Sequence, residues 1–265
     1  APAGHALGSS HGRSRIIREA YYEHPLYVPL VQRAWELWLE LEELTGTVLY
    51  RRTGGVAVGR ADSDLVRGAV ASVHAHDIEH ELLDANELKL RFPALQPEPH
   101  HVAVLETRAG MLMSDACVRT LHALARGYGA ELHMNLAVTA WHRDVNGITL
   151  TTRDGDMHAA QVVIAAGAWV NDVLAAESGT DEHLQLPVKV ERQVPHWFQP
   201  RHGTPVFGAV RCPITLLQHD DGRILYTLPD IGHGNKAGIH HEGEIVHPEK
   251  VNRTISLDDE LPLRA

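Results

Sequence analysis

The run QVVIAAG at 161–167 constrains this chain more than any other stretch. A continuous apolar segment without polar alternation reads as a strand covered on both faces, the kind found inside parallel sheets flanked by helices. It leads through Gly167 into a helix expected over 169–177. A layered fold follows if other segments supply the covering layers.

Those segments are legible. Over 29–45, Leu30, Ala34, Leu37, Trp38, Leu41 and Leu44 recur at three and four, the inward stripe of an amphipathic helix that Gly46 ends. Short strands at 48–50 and 55–58, joined by Thr53-Gly54-Gly55, read as a hairpin. A helix over 64–76 and a strand over 78–83 precede a short helix opened by Asp84-Ala-Asn-Glu87 and ended at Pro93. After a strand at 102–106, Ser114-Asp115 caps a helix expected to turn Ala116, Val118, Leu121, Leu124 and Ala125 inward. Strands at 132–134, 137–142, 148–152 and 158–166 follow, with turn signals at Asn146-Gly147 and Asp154-Gly155. From 186 to 241 nearly everything alternates like strand, broken by turns at Asp220-Asp221-Gly222 and Gly232 to Gly234.

Charge narrows the function. With 24 Lys and Arg against 34 Asp and Glu among 265 residues, and no basic run, the chain is not expected to bind nucleic acid. The longest uncharged stretch, 157–171, is interrupted by polar residues and falls short of the roughly 20 apolar residues of a membrane span. Cys117 and Cys212 form no framework, which points to a reducing, cytoplasmic setting without membrane attachment. The opening APAGHALGSSHGRSR has no initiator Met and no targeting features, so it is expected to begin mid-protein.

Two polar clusters carry chemistry. In GSSHGRSRIIR at 8–18, small residues let a backbone approach a ligand, and Arg15 and Arg18 flank two isoleucines, an arrangement suited to an anion; a surface loop with solvated arginines is the other reading. In ILYTLPDIGHGNKAGIHHEGE, Lys236, Gly238 and His240 are spaced by two, so a strand puts them on one face, near Tyr226. Lys236 is either a buried, tunable cation or an exposed edge-strand gatekeeper.

Other motifs carry less. Gly232-His-Gly234-Asn-Lys-Ala237 spells a dinucleotide fingerprint, but a strand-like segment follows where a helix is required. The 20 histidines include His74, His76 and His80 and the pairs His100-His101 and His240-His241, yet no HExxH occurs and no metal site is expected. No GxSxG elbow supports a serine hydrolase, and Cys117 reads as a small buried apolar residue.

The segments GSSHGRSRIIREAYYEHPLYVPLVQRAWELWLELEELTG, TGGVAVG, DANELKLRFPAL, SDACVRTLHALARGYGAEL, VVIAAGAWVNDVL and ILYTLPDIGHGNKAGIHHEGE resemble, in order, the monomeric sarcosine oxidase and N-methyl-L-tryptophan oxidase family of FAD-dependent amino acid oxidases. The resemblance implies FAD as cofactor, with Ser10 among the residues that bind it, His11 and Arg15 beside the flavin ring, and Val138, Ala166 and Gly167 beside the adenosine part. It implies Arg18 on the substrate carboxylate, a bidentate grip natural to guanidinium. It implies Lys236 as the cation that activates oxygen near the flavin, and Tyr226 and His240 as residues of the substrate pocket.

The implied fold is α/β with α+β lobes, an FAD-dependent oxidoreductase fold with an incomplete dinucleotide-binding domain and a mainly antiparallel substrate-domain sheet. The FAD lobe is expected from 1–80 and 130–180, the substrate lobe mostly from 81–129 and 181–255, and 256–265 as the start of a truncated helix. The family's opening βαβ unit with GxGxxG, about 30 residues, has no counterpart in this sequence. Neither has the C-terminal segment with the cysteine that binds flavin covalently, so the chain reads as the central part of a longer protein. The implied reaction oxidises the C–N bond of a secondary or N-methyl amino acid and reduces oxygen to hydrogen peroxide, in a protein that is monomeric when whole. Two alternatives stay open: a related FAD oxidase or dehydrogenase of glycine or other amino acids, and an inactive fragment or cofactor-free pseudoenzyme.

Overall fold

The computed structural model describes residues 5–180, 182, 184–201 and 205–264. Along the chain, β1 (Arg15–Ile17) leads to α1 (Val28–Thr45), β2 (Tyr50–Arg52), β3 (Gly55–Arg60) and α2 (Asp64–Ala75). Then come β4 (His80–Asp84), α3 (Ala85–Arg91), β5 (His101–Glu106), β6 (Gly110–Leu112) and α4 (Ser114–Gly127). β7 (Val138–Asp144), β8 (Gly147–Thr152), β9 (Gly155–Ala159) and α5 (Val170–Ala175) follow. The chain continues through β10 (His196–Phe198), β11 (Ile214–Gln218), β12 (Ile224–Leu228), β13 (Asn235–His240) and α6 (Leu257–Glu260). The class is mixed α/β with mostly antiparallel sheets, as expected. Among the described residues no helix is long and apolar enough to cross a membrane.

Contacts divide the chain into two compact units. The larger comprises Arg13–Cys117, Gln193–Gly243 and Arg253–Ala265. Its frame is a seven-stranded sheet ordered β10-β13-β12-β11-β3-β5-β4, antiparallel throughout except where β11 meets β3. Strand alternation sends Ala57, Val104 and Leu216 to one face, where α2 covers them with Leu65, Val66, Ala69 and Val73. The other face carries Val56, Val58, Ala103 and Leu105, packed with Leu83 and with Leu88 of α3. Each such large aliphatic side chain, buried in full, stabilises the fold by about 1.5–3 kcal/mol before entropy is counted. Asp84 and Glu87 complete the capping box read in the sequence, and Ser63 adds a cap to α2 by accepting the Val66 N–H.

The hairpin expected across Thr53-Gly54-Gly55 does not form. β2 pairs with β6 in a separate three-stranded sheet, β1-β6-β2, whereas β3 pairs with β5 and β11. At the bend the Thr53 N–H reaches the Ala109 carbonyl at 3.3 Å. The turn signal thus marks a corner in a long ribbon, β2–β3 against β5–β6, and the true partner lies some fifty residues on in sequence.

Helix faces also depart from the pattern. α1 ends at Gly46 in a left-handed conformation (φ 65°), as read, but its buried residues are Val28 and Trp35. Trp35 stacks edge-on against Tyr50 at 4.8 Å with Arg108 5.1 Å from its ring, which rotates the helix and leaves Leu30, Leu37 and Leu44 exposed. On α4 the buried positions are Ser114, Cys117 and Thr120, while Leu121 is exposed.

The smaller unit comprises Ala1–Gly12, Val118–Arg192 and Glu244–Asn252. Its sheet is the meander β7-β8-β9, with Trp141 buried and its indole N–H donated to the Val173 carbonyl at 2.7 Å. The run at 161–166, expected as its most buried strand, has no strand structure, and Val163 is 89% exposed. A parallel strand needs a ladder on each side, and no described strand runs beside this one. The strand-like reading of 186–241 also narrows: among the described residues between 186 and 213, only β10 is a regular strand.

Candidate functional site

β12 and β13 pair with Tyr226 opposite Gly238, Leu228 opposite Lys236 and Ile224 opposite His240. Lys236, Gly238 and His240 therefore share one face of β13, as their spacing predicts. Gly238 is required by the packing, because a Cβ at this position would meet the Tyr226 ring and hydroxyl. The tyrosine thus lies across the strand between lysine and histidine.

Lys236 is not an edge gatekeeper. β13 runs between β10 and β12, and Lys236 is 7% exposed. Its Nζ donates to the Ser14 carbonyl at 3.1 Å, the same oxygen that accepts Arg15 Nη1 at 2.8 Å, and sits 5.5 Å from the Trp197 ring. Burial, aided by the Arg15 charge, pulls the ammonium down to about 8. Burial likewise raises the Tyr226 phenol, against the pull of Arg15. Arg15, Tyr226 and Lys236 are thereby brought together.

Arg18 is held one turn of chain away. Its guanidinium donates to the Ala20 carbonyl at 2.8 Å and grips both oxygens of Glu23 at 2.9 Å, with Tyr21 and Tyr22 at 4.3 and 5.1 Å. Tyr22 in turn stands edge-on to His240, ring centroids 6.4 Å apart. Contacts run from Arg18 through Tyr22 to His240, and Arg18 Nη2 alone holds both oxygens of the Glu23 carboxylate while Nη1 is taken by the Ala20 carbonyl.

Glu106 shapes that line and escaped the sequence reading. Buried at the end of β5, its carboxylate accepts the N–H of Glu19 through both oxygens at 2.8 and 2.9 Å and the N–H of Ala20 at 2.8 Å. It therefore fixes the backbone that follows Arg18. Burial pushes its carboxyl up, with those N–H groups pulling the other way. Glu19, also buried, accepts from Gln32 Nε2 at 3.0 Å and has Arg108 Nη1 at 2.9 Å. On the other side, Gly68 of α2 lies against the Tyr22 backbone so closely that no side chain would fit.

The remaining candidates belong to the smaller unit. Ser10 is exposed in a turn, and His11 is half-buried with Nδ1 on the Gly8 carbonyl. Val138 opens β7 at 39% exposure, and Ala166 precedes a single helical turn, Gly167–Trp169. The false fingerprint resolves as expected: Asp230 Oδ1 accepts the N–H groups of Gly232, His233 and Gly234 at 2.6, 2.8 and 2.8 Å, and β13 follows. Both cysteines are buried, and burial lifts each thiol to about 11, which makes them unreactive. A cavity of about 620 Å³ lined by Phe198, Leu225, Thr227, Ala237 and Arg264 opens elsewhere. Alternation along β12 and β13 puts its residues on the face opposite Tyr226 and Lys236.

Comparison with known proteins places the chain in a family. The FAD dependent oxidoreductase (DAO) family matches residues 2–261, and the chain belongs to that family. It is 40% identical over 254 residues to monomeric sarcosine oxidase of Streptomyces avermitilis, covering 95% of this chain and 64% of that protein. It is 34% identical over 246 residues to N-methyl-L-tryptophan oxidase of Salmonella arizonae, covering 93% of this chain and 63% of that protein. The chain thus spans less than two thirds of these relatives. Among solved structures, NikD, an unusual amino acid oxidase essential for nikkomycin biosynthesis, matches in fold with a TM-score of 0.72 at 20% identity, covering 96% of this chain and 65% of its own.

The residues present fit the ring end of FAD. Lys236 is a buried cation whose one hydrogen-bond partner among the described residues is a carbonyl, beside a second cation, Arg15. Such a pair suits an electron-rich ring that gains negative charge and would be a poor neighbour for an apolar ligand. For the phosphates the sequence offers no GxGxxG followed by a helix.

Proposed function

We propose that this chain carries the substrate-binding and oxygen-activating residues of an oxidase acting on the C–N bond of a secondary or N-methyl amino acid. The observation that supports it most is the shared face of β12 and β13, where Lys236, Tyr226 and His240 stand together with Arg18 reached through Tyr22. Bound FAD would supply the acceptor for a hydride from the carbon next to nitrogen and the route by which those two electrons, with that hydrogen and the proton lost from the amine, reach oxygen as hydrogen peroxide. Arg18 holds the substrate carboxylate once Glu23 yields the fork, and Tyr226 and His240 wall the amine. The charge on Lys236 lowers the cost of placing an electron on oxygen. Water then hydrolyses the imine, releasing formaldehyde when the nitrogen carries a methyl group. By the same resemblance His11 and Arg15 serve the ring, Ser10 contacts the cofactor, and Val138, Ala166 and Gly167 serve the adenosine part.

The test is peroxide formation by the FAD-supplemented chain with sarcosine, N-methyltryptophan and glycine. Arg18→Ala is expected to raise KM at least about tenfold, with kcat changed much less, since a charge-assisted pair contributes about 1.5–3 kcal/mol. Unchanged KM for a carboxylate substrate removes Arg18 from its role. Turnover of glycine but of neither N-methyl substrate contradicts the substrate class.

A further inference from the structure

Away from the face that carries Lys236, the fold assembles a second set of ligating side chains. His100 lies in the turn before β5 and His101 opens the strand, and their rings meet edge to face with centroids 4.7 Å apart at 76°. Consecutive strand residues would point to opposite faces, so it is the turn that brings both imidazoles to one side. Asp220, in the turn between β11 and β12, meets them there. Its Oδ1 is 3.1 Å from His100 Nε2 and 3.9 Å from His101 Nε2. The His101 side chain is 3% exposed, and its Nε2 is buried without a hydrogen-bond partner among the described residues. A buried polar atom aimed at a carboxylate it does not reach is costly unless something stands between them.

We propose that His100, His101 and Asp220 bind a divalent zinc ion. Zinc bonds of about 2.0–2.1 Å to imidazole nitrogen or carboxylate oxygen set neighbouring tetrahedral ligand atoms about 3.4 Å apart. The separations of 3.1 and 3.9 Å bracket that value, and all three ligand atoms lie within 4.8 Å of one another. Two nitrogens and one oxygen suit zinc and disfavour magnesium or calcium, which take oxygen sets. His100 and Asp220 are exposed, so the ion has an entry path and solvent for its fourth position.

The surroundings pull both ways. Glu98 and Asp220 favour a cation near His101, whereas His219 and Arg60 face the cluster with the opposite effect. His101 Nδ1 accepts the Glu98 N–H at 3.3 Å, so without metal the ring carries its proton on Nε2. Ligation moves that proton to Nδ1 and gives up the Glu98 contact, which is long for a hydrogen bond. In return the ion joins the start of β5 to a turn 120 residues distant in sequence, across the sheet of the larger unit. The site is structural and independent of the proposed reaction.

HExxH spacing is silent about such a site, since its third ligand comes from another turn. Zinc chloride titrated into the chelator-treated full chain, followed by calorimetry and thermal unfolding, tests it. The expected result is one zinc per chain and a rise in Tm. His100→Ala and Asp220→Asn, both at exposed positions, should each weaken the affinity at least about tenfold, as loss of supporting contacts alone already does at zinc sites. A His74→Ala control should leave it unchanged. Binding that survives both ligand substitutions, or no binding at 100-fold excess of zinc over chain, overturns the proposal; a bridging water then accounts for His101.

Discussion

The strand β13 and the segment at 161–166 teach opposite lessons about apolar pattern. β13 is mixed in character, with a lysine, a glycine and a histidine on one face, yet it lies between β10 and β12 with Lys236 buried. The segment at 161–166 is the more apolar of the two and has no strand partner, with Val163 at 89% exposure. Hydrophobic pattern reports the environment a segment needs, while ladder partners decide whether the segment receives it. β12 supplies the partner for β13 from the adjacent arm of a hairpin, whereas nothing described in the smaller unit supplies one for 161–166.

Lys236 is the position of largest expected effect on β13. Lys236→Met should slow oxidation of the reduced holoprotein by oxygen about 10²–10³-fold, the usual loss when a preorganised charge is removed, while the substrate half-reaction changes little. Equal slowing of both halves would show that β13 is buried for packing alone. The same charge sets a pH dependence. Its pKa in the folded chain, about 8, lies below the ordinary 10.5, so the proton is lost first in the folded state. Oxygen reactivity should fall as pH rises through about 8, and stability should rise between about 8 and 10.5 as the cost of a buried charge disappears. A flat rate profile across that window would contradict the assignment.

Gly238→Ala disturbs the packing on the same face. Its methyl group would drive the Tyr226 ring off the strand, with a stability loss of about 1–3 kcal/mol by denaturant titration. A neutral result would mean the ring moves freely, and Tyr226 would then be no fixed wall. Glu106→Gln should be similar or smaller, about 1–3 kcal/mol, because an amide cannot accept N–H bonds through both its terminal atoms. Its signature is kinetic: KM rises with little change in kcat, since what loosens is the backbone behind Arg18. The smallest effect is expected at the exposed segment. Val163→Asp should stay within about 0.5 kcal/mol in this chain. A loss above about 2 kcal/mol would show that 161–166 is covered after all.

What the sequence made legible follows the same division. The common face of Lys236, Gly238 and His240 needed only the two-residue period of a strand, and the Asp84 capping box needed only three residues of spacing. The burial of Lys236 was not legible, because it depends on β10 and on the Ser14 carbonyl, more than two hundred residues away in sequence. Glu106 looks like an ordinary end of a strand until its carboxylate is seen on the Glu19 and Ala20 amides, 87 and 86 residues earlier. Tyr22 had no signal other than its place beside Glu23. The stripe of α1 shows the limit from the other side: Leu30, Leu37 and Leu44 keep perfect helical spacing, yet Trp35 against Tyr50 sets the buried face.

On the proposed function, the face of β12 and β13 takes the ring of FAD with an amino acid beside it. The most direct measurement is a visible absorption spectrum of the chain after incubation with FAD and extensive dialysis, followed by anaerobic addition of sarcosine. A retained flavin spectrum that bleaches with sarcosine, and bleaches in Arg18→Ala only at much higher concentration, is the predicted result. A retained spectrum that sarcosine and N-methyltryptophan leave unchanged at saturating concentration would contradict it.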